Sequence, residues 1–229
     1  MMGDVSAPDT AWYGRLDRQV IVDAALRIAA RPGTTEIRFR DLGDELGADP
    51  TAVYRHFRNK AQLLSAVIDT LMGTVRDALP RDAGVGALMR AMATETLETF
   101  VRHPAIGARL VDARPVGPAE LGLIEDSMSA FAAAGLDGDA LIAHYAAFSG
   151  MLLAYVAASC RELVTAAAGT TIDDLPWVPT EVEITPDAFP TLSAYGAQLL
   201  GMDFRSVYFA GVEVLIESTL RAARPPRVE

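Results

Sequence analysis

The chain has 229 residues, 51% apolar but only 7% aromatic, with 20 basic and 30 acidic side chains and a net charge of −10. That length allows one large domain or two smaller ones, and an alanine-rich, aromatic-poor composition favours close-packed helices. The single cysteine, Cys160, excludes a disulfide framework and a cysteine metal cluster, and the global charge argues against nonspecific coating of nucleic acid. The charge is unevenly placed, however. Residues 1–60 hold nine basic and nine acidic residues, so the whole excess lies in residues 61–229. A small neutral head making a few placed, salt-sensitive contacts to DNA stays compatible with the balance. No charged segment followed by an apolar core opens the chain, so no signal peptide is expected and a reducing cytoplasm fits.

Residues 1–15 carry Gly, Asp, Ser and Pro without a period and are expected to form a flexible arm. Trp12 to Arg15 would either touch a nucleic-acid backbone or, more plainly, let Trp12 pack on the first helix. From Leu16 to Arg31 a helix is signalled by the row Val20, Ala24, Ile28 and the adjacent Ile21 and Ala25, and Arg31-Pro-Gly33 ends it. Arg38 stands where a Ser or Thr cap would be usual, which leaves the start of the next helix open. That helix, about Arg40 to Leu46, has Phe39, Leu42 and Leu46 on one face. Gly47 stops it and allows a left-handed reversal. Gly43 leaves room for a close crossing. Asp49 is a suitable N-cap and Pro50 a suitable first residue of the following helix.

In that helix Val53 and Phe57 point inward, which leaves Thr51, Ala52, Tyr54, Arg55 and His56 outward or along the rim. Those residue types suit reading of DNA. Arginine can fork onto guanine, a small side chain can touch a thymine methyl, and tyrosine or histidine can reach a phosphate oxygen. Asn59 can cap the next helix, and Lys60, the only lysine in the chain, would place an ammonium beside its free N–H groups, so charge and dipole grip one phosphate. From Lys60 the helix runs through Leu63, Leu64, Val67, Ile68, Leu71, Met72 and Val75 to Leu79. Its apolar positions cover more than one face, so it should touch both the head and whatever follows.

Arg40-Asp-Leu-Gly43, Leu46-Gly47, Thr51-Ala-Val-Tyr-Arg-His-Phe57, Arg58-Asn-Lys60 and Leu63-Leu64 together resemble the DNA-binding head of the TetR family of transcriptional regulators. The block Leu-Gly-x-x-x-x-x-Val-Tyr-x-His-Phe-x-Asn-Lys is far more specific than a generic helix-turn-helix pattern. The resemblance implies an all-α protein: a three-helix head over residues 16–61 behind the 1–15 arm, then a helical ligand-binding and dimerising domain over 62–229. It implies a homodimer on double-stranded operator DNA, with Arg40, Thr51, Ala52 and Arg55 at bases or the groove wall and Tyr54, His56 and Lys60 on phosphates. Repression is the family's usual mode, with a small-molecule effector releasing the DNA.

Beyond Pro80-Arg-Asp-Ala-Gly84, helices are expected near 85–102, 104–112, 117–134, 137–163, 188–200 and 203–223, with Asp203 capping the last. Residues 165–187 hold acids, prolines and β-branched residues without a period and are read as a loop, either mobile or functional, for instance as a lid. Ala140 to Cys160 is almost uncharged over a length that spans a bilayer, but its His144, Ser149, Ser159 and alanines suit a helix buried on all sides better, and no membrane partner is expected. By resemblance, the helices at 137–163 and 203–223 pair with their mates in a dimer. Phe204, Val207, Tyr208, Gly211, Val214, Leu215 and Ser218 supply a stripe for that purpose, or for the intramolecular core.

The segment His103 to Pro115 is similar to the tetracycline-repressor subgroup. Tetracycline-binding members carry a metal-chelating histidine where this chain has Leu110, so an apolar or aromatic effector fits better than a magnesium–tetracycline chelate. His103, His144, Tyr145, Phe148, Met151 and Trp177 join Leu110 as ligand-pocket candidates, each with a plain core or surface role as the alternative. One Cys, three scattered His, and the lack of a Gly-rich phosphate loop, a Gly-x-Ser-x-Gly elbow or a metal-spaced triad argue against an enzyme, a cofactor or a metal site. The competing reading is a helical small-molecule-binding protein without DNA-binding function.

Overall fold

The computed structural model describes residues 16–112, 117–178 and 184–223. The arm at 1–15, the Arg-Pro pair that closes the tetracycline-repressor-like segment and the chain end from 224 lie outside the described residues. Among the described residues the fold is all α, about 72% helical and without strands. Ten α-helices run in order: α1 Arg18–Ala29, α2 Phe39–Leu46, α3 Pro50–His56, α4 Lys60–Ala78, α5 Val85–Val101, α6 Pro104–Gly107, α7 Pro118–Ala133, α8 Gly138–Thr165, α9 Pro190–Leu200 and α10 Phe204–Ala222.

Local chemistry sets the head. The Asp17 carboxylate accepts from Val20 N at 2.9 Å and starts α1. No Ser or Thr caps α2; instead Asp41, three residues in, accepts from the backbone N of Arg38 at 3.2 Å, which satisfies that donor from inside the helix. Gly47 ends α2 at φ 59°, a conformation that an L side chain resists. A Cβ on Gly43 would lie 2.8 Å from the carbonyl oxygen of Ala48 and 3.1 Å from the Pro50 ring, so the α2–α3 turn closes only over a glycine. Asp49 accepts from Thr51 N at 2.7 Å and Pro50 opens α3. Asn59 accepts from Gln62 N at 2.9 Å and opens α4. Ile21, Leu42, Val53 and Phe57 are fully buried between these helices, and burying a side chain of this size stabilises by about 1.5–3 kcal/mol.

Helix α4 touches α1 on one side and α5, α6 and α7 on the other. Two polar latches fix it to α7. The Asp69 carboxylate accepts from Glu120 N at 2.9 Å in the first turn of α7, and Arg76 forks onto Asp126 at 2.6 and 3.3 Å. Beyond α4 the helices pack around α5, which meets α8 and α10. Buried Tyr208 on α10 donates its hydroxyl to the Ala93 carbonyl at 2.9 Å, and Arg90 binds Glu213 through two bonds of 2.6 and 2.7 Å.

Two expectations are corrected by packing, and one is sharpened. The helix expected over 104–112 stops at Gly107, and the chain continues in turns with Leu110 N on Gly107 O and Asp112 N on Arg109 O, each three residues back. Gly107 abuts Cys160, whose Sγ a Cβ there would strike. The loop expected over 165–187 is ordered locally in its first part. Ile172–Asp174 form a 3-10 turn, Trp177 N donates to Met202 O at 2.9 Å, and Phe204 N donates to Leu175 O at 3.1 Å, so the segment is tied to the start of α10. Residues 179–183 lie outside the described residues.

Helix α8 is not buried on all sides. Of its 28 residues only Phe148, Leu152, Val156, Ala157, Ser159 and Cys160 are buried, a single stripe facing α5, α6, α7 and α10. Among the described residues α8 alone is long and apolar enough to pass for a membrane span, but a stripe packed on four helices is the packing of a core helix. Ile142, 58% exposed, marks its outer face.

Candidate nucleic-acid interface and ligand site

Helix α3 divides its side chains sharply. Val53 is fully buried and Phe57 closes the helix into the core, whereas Thr51, Tyr54 and Arg55 are exposed and Ala52 and His56 are half-buried at the edge. Tyr54 is 55% exposed yet oriented, because its ring meets the Phe39 edge at 4.5 Å and 61°. Arg40 is exposed on the adjoining α2. The C-terminal end of α3 is clamped by a residue that spacing alone did not reveal. Arg18 donates to the His56 carbonyl at 2.6 Å, and its guanidinium lies 4.1 Å from the centre of the Phe57 ring. Arg27 at 2.8 Å and Arg31 both pair with Glu45, which ties the loop after α1 to α2 and holds that carboxyl below the ordinary carboxylate range.

Lys60 stands at the start of α4 as expected, but its ammonium is paired with Glu36 of the α1–α2 loop. Nothing in the sequence pattern announces this contact, since the partners are 24 residues apart and meet only through the tertiary turn.

The seven ligand candidates do not form one cluster. Tyr145 and Phe148 gather around Phe131, at 6.3 and 6.5 Å between ring centres. Burial pushes the Tyr145 hydroxyl above its ordinary pKa. Phe148 and Leu110 are core residues. His144 Nδ1 lies 3.1 Å from the Thr219 hydroxyl and ties α8 to α10, and Met151 packs against Gly211. Trp177, 39% exposed, stacks on Tyr155 at 5.5 Å and 15°, with the Phe204 ring edge-on at 5.6 Å. Tyr155 is absent from the sequence candidates, yet its hydroxyl is buried without a hydrogen-bond partner among the described residues. Burial holds its pKa well above the ordinary value.

His103 sits at the α5–α6 corner with Nδ1 buried and likewise unpartnered, and burial, then the Arg102 charge, lowers its pKa. Burial pushes the Cys160 thiol up to about 12, so it is a packing residue and not a reactive thiol. A groove of about 490 Å3 runs between the end of α1 and the end of α8, with Arg31, Arg102, Ala167 and Arg205 on its walls and none of the seven candidates. Among the described residues no three His, Cys, Asp or Glu side chains are grouped to hold a metal ion.

Similarity to known proteins agrees with this arrangement. The family model for bacterial regulatory proteins of the tetR family matches residues 21–67, from α1 into α4. An HTH-type transcriptional regulator of Saccharopolyspora erythraea is 32% identical over 164 residues, 66% of this chain and 68% of that protein. The HTH-type transcriptional repressor DrrR1 of Streptomyces coeruleorubidus is 26% identical over 88% of this chain and 78% of its own length. The fold matches that of the Streptomyces coelicolor TetR family protein ActR in complex with actinorhodin, with a TM-score of 0.73 at 22% identity over 93% of this chain and 100% of that one. The chain therefore belongs to the TetR family: it is a DNA-binding regulator of transcription and not an enzyme.

Proposed function

We propose that the protein is a repressor that binds a pseudo-palindromic operator as a homodimer and leaves it when a small apolar or aromatic effector binds. The observation that carries this reading is the division of α3, with Val53 and Phe57 in the core and Thr51, Tyr54 and Arg55 at the surface. Arg55 with Thr51, Ala52 and Arg40 reads base edges or the groove wall, while Tyr54, His56 and Lys60 hold phosphates.

The outer faces of α8 and α10 support the dimer. Ile142, Ala143, Ala146 and Gly150 on α8, and Ala210 and Val214 on α10, are exposed and uncharged, and the Ala and Gly positions among them leave room for close helix approach. Val214 is 64% exposed, whereas Tyr208 of the same helix is fully buried in its own subunit. The interface stripe therefore runs through Val207, Gly211, Val214 and Ser218, and Tyr208 drops out of it. Two copies joined there set two α3 helices for successive major grooves, about one DNA turn apart.

The Asp69 and Arg76 latches support coupling, because they make the tilt of α4 depend on where α7 rests. An effector acts only by preferring one tilt, and DNA must by reciprocity weaken the effector. DrrR1 is named a repressor, and ActR is seen in complex with actinorhodin; both fit a repressor that answers to a small-molecule effector. Fluorescence anisotropy of a labelled operator, titrated with planar aromatic compounds, tests the reading. Release of the operator with a parallel change in Trp177 emission is expected. An operator complex untouched by every compound of that class would contradict the effector assignment.

A further inference from the structure

Glu36 occupies the point where Lys60, a candidate phosphate-binding cation, and a second cation of the head, Arg38, meet. Its carboxylate pairs with Lys60 and lies 3.5 Å from the Nε of Arg38. All three side chains are at least two-fifths exposed, so the cluster stands at the surface of the head and not inside it. The pairing is not a helical i, i+4 accident: Glu36 belongs to the α1–α2 loop, Arg38 precedes α2 and Lys60 opens α4. Lys60, and after it Arg38, hold the Glu36 carboxyl below the ordinary carboxylate range, so it is ionised at neutral pH. Of the other acids on this face, Asp41 accepts from the backbone N of Arg38 and Glu45 pairs with Arg27 and Arg31.

To an ammonium or guanidinium, a carboxylate and a phosphate oxygen offer the same anionic acceptor. A phosphate that approaches Lys60 must therefore displace Glu36 or sit beside its negative charge. Displacement also leaves a bare carboxylate that gathers a cation from solution, which cancels part of the counterion release that drives DNA binding. Glu36 lies in the loop before α2 and not on α3, so its effect is expected on the part of the affinity that ignores sequence.

We propose that Glu36 is a built-in competitor of DNA phosphate, occupying Lys60 and Arg38 in the free protein and lowering the affinity of the head for every duplex by the same factor. This rests on the DNA-binding reading of α3 and α4. It gives a chain with a neutral head a way to keep sequence-independent binding weak while leaving the base-reading residues of α3 untouched.

The test compares the full-length protein with its Glu36→Gln variant by anisotropy on a selected operator and on a scrambled duplex, over a range of salt. Glu36→Thr serves as a second uncharged variant, and a melting curve of each confirms folding. Both duplexes are expected to bind roughly three- to tenfold tighter, with a salt slope steeper by up to about one unit. In a Lys60→Gln background most of that gain disappears. Unchanged or weaker binding by both folded variants overturns the proposal, because Glu36 then acts only as a strut between the loop and α4. A gain confined to the operator overturns it as well, since that points to base reading. A parent protein that binds neither duplex defeats the DNA-binding reading itself, whereas a parent that binds the operator and is unaffected by both substitutions defeats only the role of Glu36.

Discussion

Helices α3 and α8 both leave much of their surface uncovered, and they do so with opposite chemistry. The seven residues of α3 bury Val53 and present Thr51, Tyr54 and Arg55, polar groups held in place by Phe39 beneath and the Arg18 clamp behind. The 28 residues of α8 bury one stripe and present Ile142, Ala143, Ala146 and Gly150. Polar groups on a rigid short helix suit a partner that is read by hydrogen bonds. An uncharged, alanine- and glycine-rich face suits a partner that packs, namely another helix of the same kind. Exposure alone does not distinguish the two; the residue types that are exposed do.

That contrast can be broken at either end. The largest effect is expected from Val214→Arg, which places an unpaired charge in the proposed helix-packing face at a cost on the order of 3–5 kcal/mol. Light scattering should then find a monomer at micromolar concentration, and operator binding should fall by about two orders of magnitude. A variant that remains dimeric would remove α10 from the interface. On the DNA side, Arg55→Ala should cost about 1–3 kcal/mol on the operator and relax preference at one base pair. Equal losses on operator and scrambled DNA would take base reading away from Arg55. Gly43→Val drives a side chain into the Ala48 carbonyl and the Pro50 ring, with an expected loss of about 1–3 kcal/mol in unfolding free energy. Operator binding should weaken with it, because the α2–α3 turn sets the angle of the reading helix. Lys60→Gln is milder: all duplexes should weaken alike, and the salt slope should flatten by roughly one unit.

The smallest expected effect concerns pH. Burial lowers the His103 pKa in the folded protein below its ordinary 6.5. The unfolded chain therefore binds the proton first as pH falls, so the stability due to neutral His103 is present above about 6.5 and is lost as pH falls through the folded value. The melting temperature of a His103→Asn protein should fall less than that of the parent between pH 7 and 5. An identical slope would show that His103 is not responsible.

How far the sequence revealed the molecule follows from the range of each interaction. Asp49 on Thr51, Asn59 on Gln62 and Gly47 at positive φ act within one turn, so residue type and position were enough to place α3 and the start of α4. The TetR-like head was legible for the same reason. Contacts made across the fold were not. Glu36 and Lys60 are 24 residues apart, Tyr155 and Trp177 meet around the end of α8, and Cys160 reaches Gly107 across the bundle. None of these leaves a period in the chain. The ligand candidates suffered most, because a pocket is defined by what several helices leave empty between them. Apolarity misled the reading of α8, since a helix with an exposed apolar face and a helix buried on all sides have the same composition.

The measurement that bears most directly on the central claim is selection of a random duplex library by the purified, ligand-free protein at moderate salt. An inverted repeat with half-sites about 10 base pairs apart, centre to centre, is the predicted result, because it requires both the α3 surface and a two-fold dimer. Folded protein that enriches no sequence would contradict the account and favour the small-molecule-binding reading without DNA.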